Sequence, residues 1–153
     1  MNYVTVTVLT SGAFDLIHYG HIRLLEEAKR LGGEDARLVV IVARDETVRK
    51  LKGKSPIIPE DQRRAVIEAL KMVDEALLGY EDFDMGAVIE RVKPDIIACG
   101  YDQDDIMEMA QRALEERGLK GKVVKLDRFG KSDLNSSSKI KRKITKMYFN
   151  QST

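Results

Sequence analysis

The 153-residue chain holds one cysteine, three prolines, two histidines and no tryptophan. A single cysteine can neither close an intrachain disulfide nor build a cysteine-based zinc site, so Cys99 reads as a small buried apolar thiol. No run of about 20 apolar residues occurs, and no basic segment precedes an apolar one near the start. Both absences argue against a membrane span and an export signal and predict a cytoplasmic protein. An excess of either charge is missing too: 26 lysines and arginines face 25 aspartates and glutamates, a formal charge of +1. Bulk electrostatics therefore gives no reason to expect a nucleic-acid partner, and any positive site must be local. With 43% apolar and 33% charged residues, the length suits one compact domain over 1–153.

Periodicity supplies the architecture. Val4, Val6 and Val8 alternate with Thr5, Thr7 and Leu9, which predicts a strand ending near Thr10. Ile22, Leu25, Ala28 and Leu31 then share one helical face, and Gly32 and Gly33 stop the helix. Residues 38–43 are apolar on both parities, as in a strand covered on both sides. Pro59, Glu60 and Asp61 suit a helix start, with Ala65, Val66, Ala69 and Val73 as its core face. Further strands are predicted at 76–78, 95–99 and 122–126. Helices are predicted at 85–92, 105–117 and 138–149, the last carrying Ile140, Ile144 and Met147 inward. Strands alternating with helices give an α/β, Rossmann-like open parallel sheet of five strands with helices on both faces. Ligands of such sheets sit beyond the carboxyl ends of the strands.

Both histidines fall in that position, in the segment Ser11, Gly12, Ala13, Phe14, Asp15, Leu16, Ile17, His18, Tyr19, Gly20, His21. A helix start presents unpaired amides to an anion, glycines allow close approach to the backbone, and imidazoles donate to phosphate oxygens. Two rival readings are a metal held by His18, His21 and Asp15, and histidines that are plain polar residues at a helix start. Gly20 between the histidines, and a loop leading out of a buried strand, favour phosphate.

The stretch GAFDLIHYGH resembles the GxFDxxHxGH signature of the nucleotidyltransferase family that includes glycerol-3-phosphate cytidylyltransferases and pantetheine-phosphate adenylyltransferases. Where that family usually has threonine this chain has Ala13, which removes one side-chain contact to nucleotide and keeps the amide. A second signature of the family, a hydroxyl-rich opening of the final helix, is echoed by Asn135, Ser136, Ser137, Ser138, Lys139 and Ile140. Ordinary serine capping is the alternative for that segment. The run VARDETVRKLKGKSPIIPEDQRR from Val42, with VDEALLG from Val73 and PDIIACGYDQ from Pro94, is more similar to the archaeal FAD synthases of the same family than to the cytidylyltransferases.

That resemblance implies transfer of AMP from ATP to FMN, giving FAD and pyrophosphate, with a divalent cation such as Mg²⁺ accompanying the nucleoside triphosphate. It implies catalytic roles for His18, His21, Lys54 and Arg63, with Lys52 and Lys54 bordering the phosphates on a mobile loop and Arg63 near the acceptor phosphate. Nucleotide contacts are implied for Ala13, Phe14, Asp15, Tyr19, Gly20, Asp102, Arg128, Phe129, Ser136, Ser137 and Ser138, with Asp15 orienting the loop and no protein ligand to the metal. Small-molecule partners only are expected, with neither nucleic acid nor membrane, and relatives commonly form homodimers. A cytidylyltransferase acting on glycerol 3-phosphate or a sugar phosphate shares every one of these motifs, and a non-catalytic nucleotide-binding protein is the reading from another class. The basic final segment, Lys139, Lys141, Arg142, Lys143 and Lys146, is read as a solvated outer surface, with an RNA or membrane contact as the rival.

Overall fold

The computed structural model describes residues 4–129 and 134–149. Five strands form one parallel sheet in the order β3-β2-β1-β4-β5: β1 (Thr7–Gly12), β2 (Arg37–Val42), β3 (Glu75–Leu78), β4 (Ile96–Cys99) and β5 (Lys122–Lys125). The helices between them are α1 (Tyr19–Leu31), α2 (Asp45–Lys52), α3 (Glu60–Glu68), α4 (Met85–Val92) and α5 (Asp104–Glu116), and α6 (Ser137–Tyr148) follows the sheet. The predicted fold class is the observed one.

Alternation along β2 decides which layer each residue joins. Leu38, Val40 and Val42 pack with Leu25 and Ala28 of α1 and Ile67 of α3. Val39 and Ile41 pack with Val88 and Ile89 of α4 and Ala110, Ala113 and Leu114 of α5. Both parities are apolar because the strand is covered twice. Cys99 is 1% exposed in the second layer, and burial pushes its thiol up to about 11, so it stays protonated as the buried-thiol reading expects.

Strand order reverses between β1 and β4: from β1 the chain passes to β2 on one side of the sheet, and from β4 to β5 on the other. This is the switch point at which parallel sheets open a crevice. The crevice is braced by Gln103, whose Oε1 accepts from the Gly100 amide at 2.8 Å while its Nε2 donates to the Ser11 carbonyl at 2.9 Å. Thr10 ties the same two strands one step deeper, its hydroxyl donating to the Ala98 carbonyl at 2.9 Å.

Four details differ from the periodicity reading. β1 begins at Thr7, leaving Val4 exposed, and runs on to Gly12, because β2 pairs from Arg37 opposite Thr7 to Val42 opposite Gly12. α2 is an additional helix; its core side is only Thr47 and Val48, too sparse to show as an apolar stripe. In α3 the buried residues are Arg63 and Ile67, whereas Ala65, Val66 and Ala69 are exposed. The last helix has no buried residue at all: Ile144 and Met147, expected inward, are 45% and 46% exposed. Its apolar stripe lies outside the two layers that close over the sheet.

Candidate functional site

The turn from β1 into α1 carries the histidines and is strained. Phe14 and Leu16 both have left-handed backbones, with φ of 53° and 51°, which costs a residue with a Cβ about 1 kcal/mol or more. The surroundings hold the turn in place. Phe14 is 4% exposed in the core, and Asp15 between the two strained residues is 6% exposed. The Asp15 carboxylate accepts from the Ile57 amide at 2.8 Å and the Ile58 amide at 2.9 Å, and pairs with Lys141 at 3.3 Å. Burial pushes its pKa up, but these two amides and the lysine outweigh it and hold the carboxyl below its ordinary value. The carboxylate thus ties the turn to the segment that ends at Ile58. A Cβ at Gly12 would sit 3.0 Å from the Phe14 ring, so the bare backbone lets that ring pack against it.

His18 is the N-cap of α1, in extended conformation, and no acidic residue occupies the first turn. The positive end of the helix is therefore open to an external anion. The two imidazoles stack, with centroids 3.7 Å apart and planes 28° from parallel. The His18 amide donates to Nδ1 of His21 at 3.3 Å, which makes Nδ1 the accepting nitrogen and leaves the proton on Nε2 as the donor of that ring. Burial, followed by the nearby His18 and Lys52 charges, pushes the His21 pKa down to about 3, and burial also lowers that of His18. The pair is neutral at physiological pH. Gly20, itself buried, admits this packing: a Cβ there would meet the His18 ring at 2.9 Å and the Asn135 carbonyl at 3.1 Å.

Ser136 caps α6, accepting from the Lys139 amide at 3.2 Å, and the Ser137 hydroxyl donates to the Asp15 carbonyl. The hydroxyl-rich segment thus stands against the histidine turn although 122 residues separate Asp15 from Ser137. Ser138 is exposed beside them. Arg128 stacks on Tyr101 at 5.4 Å and donates to Asn135 at 3.2 Å, while Phe129 lies under Arg23 at 5.8 Å. Lys139 donates to the same Asn135 oxygen at 2.9 Å. Asp102 is exposed beside Gly100, past the end of β4, and Tyr19 is 65% exposed at the first position of α1. Ala13, half-buried, offers its carbonyl to Arg63.

Arg63 is the residue whose placement departs most from expectation. It is 1% exposed, and its three guanidinium nitrogens donate to the Ile58 carbonyl at 2.8 Å, the Ala13 carbonyl at 2.6 Å and Asp45 at 2.7 Å. A side chain so committed holds the loop from beneath, with all three nitrogens engaged within the protein. Lys54 is exposed in the turn that follows α2, after the left-handed Gly53 that ends the helix, and Lys52 is in the last turn of α2. The expected loop around the lysines is thus half helix. Residues that sequence reasoning missed are Gln103, which resembles an ordinary helix cap, and Asp45 and Lys141, each a single charge within a charged run. No sequence signal marks their partners, which are distant in the chain.

Beside the carboxyl ends of β1 and β4, on the sheet face that packs on α4 and α5, the core leaves an apolar gap of only about 10 Å³, lined by Ser11, Ile41, Phe83, Met85, Cys99 and Ile106 among others. Among the described residues, no three His, Cys, Asp or Glu side chains converge as metal ligands, and no helix is long and apolar enough to cross a membrane.

Comparison with known proteins places these features in a family context. Residues 9–143 match the model of the cytidylyltransferase-like family. The FAD synthase of Methanobrevibacter smithii is 49% identical over 142 residues, covering 93% of this chain and 92% of that protein. The FAD synthase of Methanothermobacter marburgensis is 50% identical, covering 95% and 89%. Among solved structures, a lipopolysaccharide core biosynthesis protein from Thermoplasma volcanium superposes with a TM-score of 0.72 at 40% identity, over 83% of this chain and 100% of that one.

Proposed function

The chain belongs to the cytidylyltransferase-like family, and from that premise we propose that it is an FMN adenylyltransferase, joining AMP from ATP to FMN with release of pyrophosphate. The observation that carries the proposal is the pair of phosphate-facing helix starts, α1 with its stacked histidines and α6 with its serines, bonded to each other through Asp15. The near-full-length likeness to two archaeal FAD synthases supports the acceptor.

In this reading a phosphate oxygen of FMN attacks the α-phosphorus of ATP. The bond to the β-phosphate breaks, and pyrophosphate leaves with the electron pair. The nucleophile is already an anion, so no general base is needed, and rate comes from positioning and from donors aimed at the transferring group. The neutral His21 donates a hydrogen bond from Nε2–H to a phosphate oxygen, and His18 contributes beside it. Lys54 brings positive charge from the turn after α2. Ser136, Ser137 and Ser138 receive the leaving phosphates at the start of α6, and Asp102, Arg128 and Phe129 border the nucleotide. Arg63 acts as a positioning residue beneath the turn. A divalent cation bound to the triphosphate would supply charge balance there; Asp15, already committed to two amides and a lysine, would orient the turn rather than hold it.

The test is product formation by the purified protein with Mg²⁺, crossing ATP and CTP against FMN and glycerol 3-phosphate and weighing the products. FAD from ATP and FMN alone is expected, and His21→Ala should lower turnover about 10²-fold or more, as does losing one oxyanion donor elsewhere. A CDP-linked product would replace the acceptor reading, and unchanged turnover in the variant would remove His21 from the chemistry.

A further inference from the structure

The segment between α2 and α3 is pinned at several points although most of it is exposed. Gly53, in a left-handed backbone at φ 71°, ends α2, and the Ser55 hydroxyl accepts from Nε of Arg49 at 3.0 Å. The Ile57 and Ile58 amides donate to the buried Asp15 carboxylate at 2.8 Å and 2.9 Å, and the Ile58 carbonyl accepts from the buried Arg63. Glu60 then closes the segment on itself. Its carboxylate accepts from the Asp45 amide at 2.6 Å and pairs with Arg44 at 3.2 Å, joining the start of α3 to the start of α2. All of these ties are made by backbone groups or by other side chains, and the Ile57 side chain is left 60% exposed. A branched aliphatic with a stiff χ1, on a backbone held by a buried carboxylate, gains free energy when a ligand covers it.

Its position fits one part of the reaction. In-line transfer sets the entering and leaving oxygens on opposite sides of the α-phosphorus, so the acceptor cannot share the donors that receive pyrophosphate. The nucleotide border proposed above belongs to the β4, β5 and α6 side of the histidine turn, where Arg128 stacks on Tyr101 and bonds Asn135, and Ser137 bonds the Asp15 carbonyl. The segment between α2 and α3 instead follows β2, on the other side of β1. Lys52 stands close enough for its charge to add to the burial and the His18 charge that lower the His21 pKa, and the Ile57 amide sits on Asp15. Positive charge and an exposed apolar side chain thus reach the same turn from one segment. A phosphate joined to a large flat ring needs both.

We infer that Ile57 is a specificity-determining residue for the acceptor, its side chain forming the apolar wall on which the isoalloxazine ring of FMN rests while the phosphate reaches the histidine turn. The inference rests on the transfer reading above for the identity of the acceptor. It assigns Ile57 to the ring and to no phosphate, so its loss should weaken flavin binding and spare both the chemical step and ATP.

The experiment follows FAD formation by the full chain with Mg²⁺ for Ile57→Ser, Ile57→Leu and, as a control at another exposed aliphatic, Val66→Ala on α3. Riboflavin, which has the ring and lacks the phosphate, is added as a competitor of FMN at saturating ATP. Ile57→Ser should raise the KM for FMN and the Ki of riboflavin by the same factor, about tenfold, the scale of uncovering much of an aliphatic side chain. The kcat, the KM for ATP and the urea midpoint should stay at wild-type values, the pattern of lost binding common to ground and transition states. Ile57→Leu should recover most of the loss, and Val66→Ala should match wild type. A fall in kcat with an unchanged KM for FMN would mean that the segment itself had shifted and would overturn the inference. Wild-type KM and Ki in Ile57→Ser would do the same, as would riboflavin that fails to inhibit the wild type. The two readings fail separately. Wild-type protein that makes FAD yet is insensitive to Ile57→Ser refutes the wall alone, whereas wild-type protein that makes no FAD removes the FMN acceptor and the wall with it.

Discussion

The two helix starts that face the proposed triphosphate are built by different means. The β1–α1 turn is anchored by burial: Phe14 and Asp15 are nearly inaccessible, Gly20 is closed in by the His18 ring and the Asn135 carbonyl, and Arg63 holds the turn from below with three donors. α6 has no such anchorage. Its serine cap is internal to the helix, and the Ser137 hydroxyl and Lys141 tie it to Asp15 of the histidine turn. The contrast teaches that the histidines are pre-positioned before any ligand arrives, at the cost of two strained backbones, whereas the second phosphate-facing helix is set by polar contacts that a bound anion can reinforce. Stability should therefore concentrate in the first region and ligand dependence in the second.

Arg63→Met should break this arrangement most severely. The substitution leaves the carbonyls of Ala13 and Ile58 without their donor and Asp45 without its buried partner, and breaking such a network costs about 3 kcal/mol or more. The urea midpoint should fall accordingly, and Arg63→Lys should recover little because one ammonium does not span three acceptors set in a planar fork. A midpoint close to wild type would mean that the turn does not depend on its buried support.

Arg63 also shows what the sequence conceals. β2 and β4 are legible because apolar residues on both parities have one physical explanation, cover on both faces, and the GAFDLIHYGH segment is legible because its glycine and histidines sit at fixed spacings after a strand. The core face of α3 was misread for the opposite reason. Hydrophobic periodicity gives no weight to a charged residue, so a helix whose inward positions are Arg63 and Ile67 appears to turn its Ala65 and Val66 inward. The outward stripe of α6 has the same origin, since alternation records which residues share a face and leaves open whether anything covers it. Gln103 and Lys141 were missed because each acts on a partner about 90 or more residues away in sequence, at distances only the folded sheet defines.

A second, smaller effect should appear with pH and should report on the same turn. His21 is neutral in the folded protein, with a pKa of about 3 against an ordinary 6.5, so the unfolded chain binds more protons than the native one throughout that interval. The contribution is fully present above about pH 6.5 and is lost progressively as pH falls towards about 3. Urea midpoints measured from pH 7 to 4 should decline for the wild type and decline less for His21→Gln, which keeps a polar side chain without the titration. Saturating MgATP should also flatten the wild-type curve, because phosphate beside the ring favours its protonated form. Parallel curves for wild type and variant would show that other groups carry the acid sensitivity.

The smallest effect sharpens the comparison from the other side. Ser136→Ala removes the cap that the Lys139 amide uses, a loss of about 1 kcal/mol confined to α6. Because no residue of that helix is buried, its opening is local and does not require the sheet to come apart. Hydrogen exchange should therefore quicken at the α6 amides while those of α1 keep their protection, and the global urea midpoint should remain where it was. Adding MgATP should slow the α6 amides in wild type and variant alike, since a ligand bound across both helix starts stabilises the docked helix by mass action. If instead the midpoint falls with the cap, α6 unfolds together with the core, and the two helix starts are parts of one cooperative unit in which polar contacts serve as well as burial.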